Sequence, residues 1–477
     1  MVTHAEREVS RGHERRRRAP QGPNDSEGTT PENLDETMPQ TSKQMELPLW
    51  ATGGSGTPEG SEEASSARTG NEGPGTRALM EEVVDHRNLE RAAKRVRQNR
   101  GSPGIDGMTV EELPRWMREQ WPGMREQLLA GSYEPKPVRR VQIPKRGGGE
   151  RELGIPTVGD RVIQQAILQV LQPRLDPTFS DHSYGFRPGR SAHDAVSQMR
   201  DYVTEGRVWV VDIDLEKFFD RVNHDMLMGR LAKRLEDRRL LRTLRRYLSA
   251  GVMVNGVKVE QRRGTPQGGP LSPLLANVYL DEVDKELERR GHAFVRYADD
   301  LRVLVRSKRA GERVMGALIK RFAKLRLRVN ESKSTVARVY ERPFLGFDLW
   351  VNKKGETKIG VASKSMERMK ERVRELTNKR RGRRVEQVVW QLQRYLQGWW
   401  RYFGLTESRR GLRDVEGWTK NATDRRGRGR VGLFVRESAL AQARATVAAC
   451  IGPLSVHSAP ARPGPSTTWR TGTSSAA

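Results

Sequence analysis

The chain has 477 residues, of which 35% are hydrophobic and 31% charged, and this length predicts two or three domains with enough apolar side chains for a buried core. Its formal net charge of +27 favours a polyanionic partner such as nucleic acid, although a merely basic soluble protein would show the same excess. The single cysteine, Cys450, excludes a disulfide framework and the cysteine-based zinc sites, and the lack of about 18 consecutive apolar residues excludes a membrane-spanning helix.

The beginning of the chain is predicted to be a disordered leader. Residues 1–78 are rich in Gly, Pro, Ser, Thr and Glu, so they cannot bury enough apolar surface to offset the entropy lost on ordering. The opening stretch MVTHAEREVSRGHERRRR lacks the apolar segment of a secretory signal, which predicts a cytoplasmic, nucleoid-associated protein. Arg15–Arg18 could form a localisation signal, but a solvated basic tail is the simpler interpretation.

The segment that follows the leader is predicted to contain helices around a β-hairpin. Residues 81–99 have helical periodicity and lead into a turn, SPGIDG. From Val138, the order VRRVQIP, KRGGGE, RELGIP predicts two strands joined by a mobile tip at Gly147–Gly149. Residues 161–175 predict a further helix.

The middle of the chain is predicted to alternate strands and helices. Residues 208–214, VWVVDID, are β-branched and almost continuously apolar, as expected of a buried strand. Residues 224–248 are predicted to be helical. Residues 293–306, AFVRYADDLRVLVR, are two apolar runs about a tight centre, which predicts a hairpin, and helix and strand return at 309–350.

Two acidic clusters accompany these predicted strands. Asp212 and Asp214 share one face of a strand by the two-residue period, and Asp214 stands at its end. Asp299 and Asp300 lie at the centre of the hairpin and point to opposite faces. Nucleotidyl transfer is best served by two Mg²⁺ ions about 4 Å apart, held by carboxylate oxygens. The clusters together favour such a site, whereas either alone could be a solvated acidic turn.

These segments resemble the motifs of a known family. VDIDLEKFFD, TPQGGPLSPLLANVYLDEVD and YADD resemble successive motifs of reverse transcriptases. IPKRGGGERELGIP and SYGFRPGRSAHDA are similar to the finger motifs of the group II intron-encoded branch, and GSPGIDG to its additional N-terminal block. FLGF at 344–347 and the later GWWRYFG resemble its palm-end and thumb (maturase) motifs. The resemblance covers roughly residues 80–415 in the family's order.

The resemblance implies an α+β fold of the right-hand polymerase type. Its fingers and palm would combine an antiparallel sheet with packed helices, followed by an α-helical thumb or maturase domain. The implied divisions are a disordered leader at 1–78, the N-terminal block and fingers at 79–205, the palm at 206–355, thumb helices at 356–415, and a degenerate or disordered tail at 416–477. The thumb would be truncated if the tail has degenerated.

The resemblance also implies catalytic roles. Asp214 and Asp299 would be the primary ligands of two Mg²⁺ ions, with Asp300 beside them, and Asp212 would support the site from outside. Phe219 would be the steric gate beneath the sugar, where a bulky ring excludes a 2′-hydroxyl and so selects dNTP over rNTP. Phe218 is assigned to core packing instead.

Further implied roles concern the incoming dNTP. Lys145 and Arg151 flank the glycine tip and would neutralise the triphosphate, although an exposed basic hairpin would look the same. Gln267 and Gly268 would hold the nucleotide and the template base by close backbone approach. Glu152 departs from the family, which usually has proline after that arginine, and this change should affect loop stiffness more than chemistry.

The remaining implied contacts are to template, primer and intron RNA. Lys333 would sit near the primer or catalytic centre, or be a solvated surface charge, and Arg187 would make a nucleic-acid or structural contact. The basic stretch at 368–384 suits a thumb that follows phosphates, and the aromatic residues of GWWRYFG are expected to form the thumb core. After GLRDVEGW the expected second basic-aromatic block is missing, which puts splicing assistance in doubt more than polymerisation.

The implied function is an RNA-directed DNA polymerase that copies group II intron RNA into DNA. Its expected partners are intron RNA, a DNA target and primer, and dNTPs, without a membrane. The sequence shows no Cys/His (HNH) endonuclease module, so a pre-existing nick or primer, or cleavage by the intron RNA, would be needed. The alternatives are an RNA-binding splicing factor with a vestigial polymerase and a domesticated or defence-linked reverse transcriptase.

Overall fold

A computed structural model of the chain describes residues 78–144, 150–254, 257–259, 263–265, 268–378 and 385–408. The predicted leader, apart from Ala78, and the predicted tail at 416–477 lie outside the described residues. Within the described ranges the chain forms helices and strands in mixed order, in agreement with the predicted α+β class.

The helices, in chain order, are α1 (Leu79–Val83), α2 (His86–Asn99), α3 (Leu113–Glu119), α4 (Trp121–Ala130), α5 (Val158–Leu175), α6 (Ala192–Thr204), α7 (Phe218–Arg221), α8 (His224–Ala232), α9 (Arg238–Ser249), α10 (Ser272–Arg289), α11 (Lys308–Lys324), α12 (Ser363–Thr377) and α13 (Val385–Phe403). The strands are β1 (Val138–Pro144), β2 (Glu150–Ile155), β3 (Trp209–Ile213), β4 (Val252–Val254), β5 (Val257–Val259), β6 (Ala293–Tyr297), β7 (Asp300–Val305), β8 (Thr335–Arg338), β9 (Phe347–Val351) and β10 (Thr357–Val361).

Helices α2 and α5 are capped by side chains and joined through a buried amide. The Asp85 carboxylate accepts backbone N–H groups in the first turn of α2, and the Thr157 hydroxyl does the same for α5. Where α2 meets α5, the buried Asn88 amide donates to the carbonyl oxygens of Val83 at 3.0 Å and Ala166 at 3.1 Å. Helix α2 is therefore fixed against the long helix α5.

The helical region predicted over 224–248 is divided into two helices. The chain forms α8 and then α9, with a break before Arg238. Asp237 caps α9 through one carboxylate oxygen, and its other oxygen accepts the backbone N–H of Met80 at 2.9 Å. Met80 is 157 residues away in sequence, so local periodicity could not reveal why the helix is interrupted there.

One sheet has the strand order β2-β1-β4-β5. Strands β1 and β2 form the predicted antiparallel hairpin, with Ile143 opposite Arg151. The expectation of purely antiparallel pairing fails between β1 and β4, which run parallel with Val138 opposite Val252. The chain between β1 and β4 contains several helices, and a connection of that length allows parallel pairing.

The second sheet, with the order β6-β7-β3-β8, positions the acidic clusters. All its pairs are antiparallel, and Val211 of β3 lies opposite Val303 of β7 on one side and Val336 of β8 on the other. Helix α11 packs on this sheet at Gly311, where an added Cβ would lie 2.5 Å from a Val336 methyl group. The missing side chain therefore sets how closely α11 approaches β3 and β8.

The last described part ends in two helices, within the region 356–415 that the resemblance implies to be helical. Strands β9 and β10 pair as an antiparallel hairpin, followed by α12 and α13. Beyond α13, the Glu407 backbone N–H donates to the Ile359 carbonyl at 2.8 Å, and the Glu407 carboxylate accepts the Ile359 N–H at 2.9 Å. These bonds tie the end of α13 to β10.

The described residues form three hydrophobic clusters. The largest includes Ile163 of α5 and Phe322 of α11, the second surrounds Phe347 of β9, and the third joins Met369 of α12 to Leu392 of α13. Among the helices described, none is both long enough and apolar enough to cross a bilayer.

Candidate active site

Asp214 stands immediately after β3, and its backbone is anchored on both sides. Its N–H donates to the Ser334 hydroxyl at 3.0 Å, and its carbonyl accepts the Asn330 N–H at 2.8 Å. The Asp214 side chain is 46% exposed. The backbone is therefore fixed while the carboxylate stays accessible, which suits a ligand for a bound ion.

Asp299 lies in the turn of the β6–β7 hairpin. Tyr297 and Asp300 are paired, so Ala298 and Asp299 form a two-residue connection. Ala298 has a φ of 59°, in the left-handed region, which costs an L-residue about 1–2 kcal/mol. The surrounding structure must offset that cost to hold the turn.

The carboxylates of the two clusters meet at one edge of the sheet. Strands β3 and β7 pair with Ile213 opposite Leu301, so Asp214 and Asp300 flank the same pair. The pKa of Asp300 is raised to about 6, mainly by burial; Arg302 opposes the rise, and the negative charges of Asp212, Asp299 and Asp214 contribute to it. The repulsion shows that negative charge is concentrated at this edge, where a cation would relieve it.

The Asp212 side chain is buried and forms ion pairs with two arginines. Its carboxylate pairs with Arg302 at 3.2 Å and Arg342 at 2.6 Å. Arg302 also donates to the carbonyl oxygens of Arg342 and Pro343. Sequence reasoning missed both arginines, although a charged residue inside the apolar run LRVLV signals a buried partner.

A buried polar network holds the turn that carries Asp299. Arg296 of β6 is 1% exposed and forms a bidentate ion pair with Asp284 of α10, at 2.8 Å and 2.5 Å. The same guanidinium donates to the Ala298 carbonyl at 2.8 Å and to the Asn277 side-chain oxygen at 2.9 Å. The Asn277 amide donates in turn to the Gly185 carbonyl at 2.9 Å. The network stabilises the left-handed turn, and the sequence analysis did not find it.

The carboxylates suit a hard cation whose coordination is completed by substrate. Within the part of the chain that the structure describes, no three His, Cys, Asp or Glu side chains could hold a metal ion by themselves. Mg²⁺ commonly keeps waters and takes one or two carboxylates together with substrate phosphates. Asp214, Asp299 and Asp300 offer oxygen ligands of that type at one sheet edge.

The paired phenylalanines of α7 have different surroundings. Phe218 is 2% exposed and packs in the core, whereas Phe219 is only half-buried. Their rings contact edge to face, with centroids 5.1 Å apart. This division matches the expected assignment of Phe218 to packing and leaves Phe219 able to contact a ligand.

The predicted nucleotide contacts are only partly described. Lys145 and Gln267 lie outside the described residues, and Arg151 is described only as a strand residue of β2. Gly268 has a φ of 122°, and a Cβ there would lie 2.8 Å from the Gly154 carbonyl, so the position requires glycine. Gly268 therefore lies against Gly154, near the end of β2, and the predicted glycine tip at Gly147–Gly149 lies outside the described residues.

Arg187 is placed inside the protein. It is 8% exposed, pairs with Asp176 at 2.9 Å and donates to the carbonyl oxygens of Ser180 and Ser183. These contacts support the structural alternative over a template contact. The aromatic segment GWWRYFG also packs: the ring centroids of Phe403 and Phe347 are 5.2 Å apart.

Lys333 lies beside the candidate centre, with its Nζ 3.7 Å from an Asp214 carboxylate oxygen. We expect Lys333→Met to lower the Mg²⁺ concentration for half-maximal activity by up to about fivefold, because the ammonium competes for that carboxylate and an exposed ion pair is worth roughly 0.2–1 kcal/mol. A magnesium titration of primer extension, with the exposed Lys320→Met as control, measures this. A higher magnesium requirement in Lys333→Met would contradict competition between the Lys333 ammonium and Mg²⁺ for the Asp214 carboxylate.

Comparison with known families matches two parts of the chain. Residues 143–349 match the reverse transcriptase (RNA-dependent DNA polymerase) family, whose members act with divalent metal ions. Residues 366–426 match the maturase-specific domain of group II introns, and this match extends past the expected boundary at 415.

Individual proteins resemble parts of the chain. Protein YkfC of Escherichia coli (strain K12) is 38% identical over 209 residues, 42% of this chain and 55% of the relative. The group II intron-encoded protein LtrA of Lactococcus lactis subsp. cremoris is 38% identical over 181 residues, 38% of this chain and 29% of the relative. A telomerase structure from Candida albicans aligns with 69% of this chain and 66% of its own at 13% identity and a TM-score of 0.40.

Proposed function

This chain belongs to the group II intron-encoded reverse transcriptases and maturases, and from that premise we propose that it copies intron RNA into DNA and binds the RNA to assist splicing and mobility. It spans 55% and 29% of the length of the two curated relatives, so the activity is argued from its own residues. The proposed partners are group II intron RNA, a DNA target and primer, and dNTPs. The proposed location is the cytoplasm, at the nucleoid.

The observation that carries the proposal is the convergence of Asp214, Asp299 and Asp300 at one sheet edge. Asp214 has an anchored backbone, Asp299 sits in a turn held by Arg296, and Asp300 has a raised pKa because of burial and neighbouring carboxylates. Two Mg²⁺ ions bound there would activate the primer 3′-hydroxyl and stabilise charge on the phosphate. The protein would hold the three carboxylates in fixed positions relative to one another.

We propose that the dNTP binds next to these carboxylates. Lys145 and Arg151 would neutralise the triphosphate, and Gln267 and Gly268 would present backbone to the nucleotide and template base. The close approach of Gly268 to Gly154 supports this, since it brings the Gly268 loop to the strand that follows the glycine tip. Phe219 would face the sugar.

We also propose a right-hand division of the chain into fingers, palm and thumb. The N-terminal block and fingers would cover 79–205, the palm 206–355 and the thumb 356–415. The four-stranded antiparallel sheet with the acidic edge supports the palm, and α12 and α13 support a helical thumb.

Extension of oligo(dT) on poly(rA) tests the polymerase activity. We expect the full chain to incorporate dTTP only when Mg²⁺ is present, because the three carboxylates repel one another and the triphosphate without a cation. EDTA should abolish incorporation and added Mg²⁺ should restore it. Incorporation that persists in EDTA, or none with Mg²⁺, would contradict the proposal.

The maturase activity needs a separate assay, since the maturase-specific match supports RNA binding independently of the carboxylates. A group II intron transcript at low Mg²⁺ should splice faster with the protein than without it. A splicing factor with a vestigial polymerase would accelerate splicing without extending a primer. A domesticated reverse transcriptase would extend a primer without affecting splicing.

A further inference from the structure

The backbone at the half-buried Phe219 is hydrogen-bonded to a short segment, Arg263–Thr265. The Thr265 N–H donates to the Phe219 carbonyl at 2.8 Å, and the Gly264 N–H donates to the Val222 carbonyl at 2.8 Å. Arg263 forms an antiparallel bridge with Asn223. These bonds join both ends of α7, the helix that carries the phenylalanine, to one extended segment.

Gly264 lets this segment approach α7 more closely than any other residue could. Its φ is 90°, which L side chains rarely adopt, and it is buried. A Cβ at this position would lie 2.9 Å from the Phe219 carbonyl oxygen and 3.0 Å from the Asp220 Cα. Any side chain here would therefore displace α7 and the Phe219 ring with it.

His224 fixes Gly264 from the other side. The imidazole is 3% exposed, and its Nε2 lies 2.6 Å from the Gly264 carbonyl oxygen. A carbonyl oxygen only accepts, so Nε2 carries the proton and donates it. His224 begins α8, directly after α7, so one residue links the helix pair to the Arg263–Thr265 segment. This hydrogen bond satisfies the buried imidazole and stabilises the fold.

The position of this segment points to a more specific role. The chain continues from Thr265 to Gln267 and Gly268, the proposed nucleotide-binding loop. The ring proposed to exclude a 2′-hydroxyl and the loop proposed to hold the nucleotide are thus joined through the Arg263–Thr265 segment. A displacement of about 1 Å in such a site can cost roughly 100-fold in rate, so this spacing has to be set by rigid contacts.

We propose that His224, through Gly264, positions Phe219 against the nucleotide-binding loop and thereby determines how strongly ribonucleotides are excluded. The inference rests on the proposed polymerase function. His224 is a positioning residue, since it contacts the Gly264 backbone and not the nucleotide. The chemical class it discriminates is the nucleoside triphosphate, 2′-deoxy against 2′-hydroxy.

The test compares dTTP with UTP opposite the same template adenine, as the ratio of their kcat/KM values. Phe219→Ala should reduce the preference for dTTP by about 100-fold, the scale on which a pocket rejects one added hydroxyl. His224→Leu removes the donor and should reduce it by about tenfold, chiefly through a lower KM for UTP. His224→Gln can place an amide donor at the Nε2 position, so it should recover most of the preference.

A double variant separates positioning from general destabilisation. In a Phe219→Ala background, His224→Leu should change the preference by less than about twofold, because the positioned ring is already gone. Equal losses for dTTP and UTP in His224→Leu, or independent effects in the double variant, would overturn the inference while leaving the polymerase proposal intact. If His224→Leu does not fold, Gly264→Ala replaces it with the same expected loss of preference. No templated dTTP incorporation by the unaltered chain would instead defeat the proposed polymerase, and this inference with it.

Discussion

Asp299→Asn is expected to lower dNTP incorporation by about 1000-fold, equivalent to roughly 4 kcal/mol of transition-state stabilisation. The amide keeps the shape of the side chain and removes the negative charge that would hold a cation. Arg296 donates to the Ala298 backbone carbonyl, a bond that the substitution does not remove, so the turn should survive the change. Single-turnover primer extension at saturating dNTP measures the effect.

The matched control for Asp299→Asn is Asp201→Asn on α6. Asp201 is 54% exposed and pairs with its neighbour Arg200, so the same chemical change there should leave the rate within about twofold. Circular dichroism should show both variants folded. Equal activity of Asp299→Asn and the unaltered chain would remove Asp299 from the proposed centre.

Asp284→Asn is expected to destabilise the fold by about 3–5 kcal/mol, the usual cost of leaving one partner of a buried ion pair uncompensated. Asp284 is 0% exposed and Arg296 is 1% exposed, so water cannot solvate the guanidinium charge that loses its carboxylate partner. The Arg296 guanidinium would then be held less firmly against the Ala298 carbonyl. Urea unfolding of the full chain measures the loss of stability.

The same Asp201→Asn variant is the control for Asp284→Asn, because an exposed ion pair contributes only about 0–1 kcal/mol. At urea concentrations below its unfolding midpoint, Asp284→Asn should also extend a primer more slowly than the control. The turn that carries Asp299 is held by Arg296, which this substitution loosens. Unfolding curves that coincide for the two variants would show that the buried pair does not stabilise this region.

Local patterns in the sequence predicted much of the sheet that carries the site. The continuous apolar run at 208–214 became β3, and the two apolar runs around YADD became β6 and β7. The break between α8 and α9 and the parallel pairing of β1 with β4 were not predicted. Each depends on contacts between distant residues, Asp237 with Met80 and Val138 with Val252. Periodicity within a short window contains no information about such contacts.

The candidate site divides in the same way. Asp214, Asp299 and Asp300 could be identified because acidic residues at strand ends stand out against apolar neighbours. The residues that hold the turn with Asp299 could not be identified in this way, since Asn277 and Asp284 lie in one helix and Arg296 in a strand. Only the fold brings these three together.

The most direct test of the polymerase proposal is extension of a DNA primer on an RNA template of mixed sequence, followed by sequencing of the product. With the full chain, all four dNTPs and Mg²⁺, we expect DNA complementary to the template, and the product should disappear with Asp299→Asn. Product whose sequence is independent of the template, or equal product from Asp299→Asn, would contradict an RNA-directed DNA polymerase centred on Asp214 and Asp299.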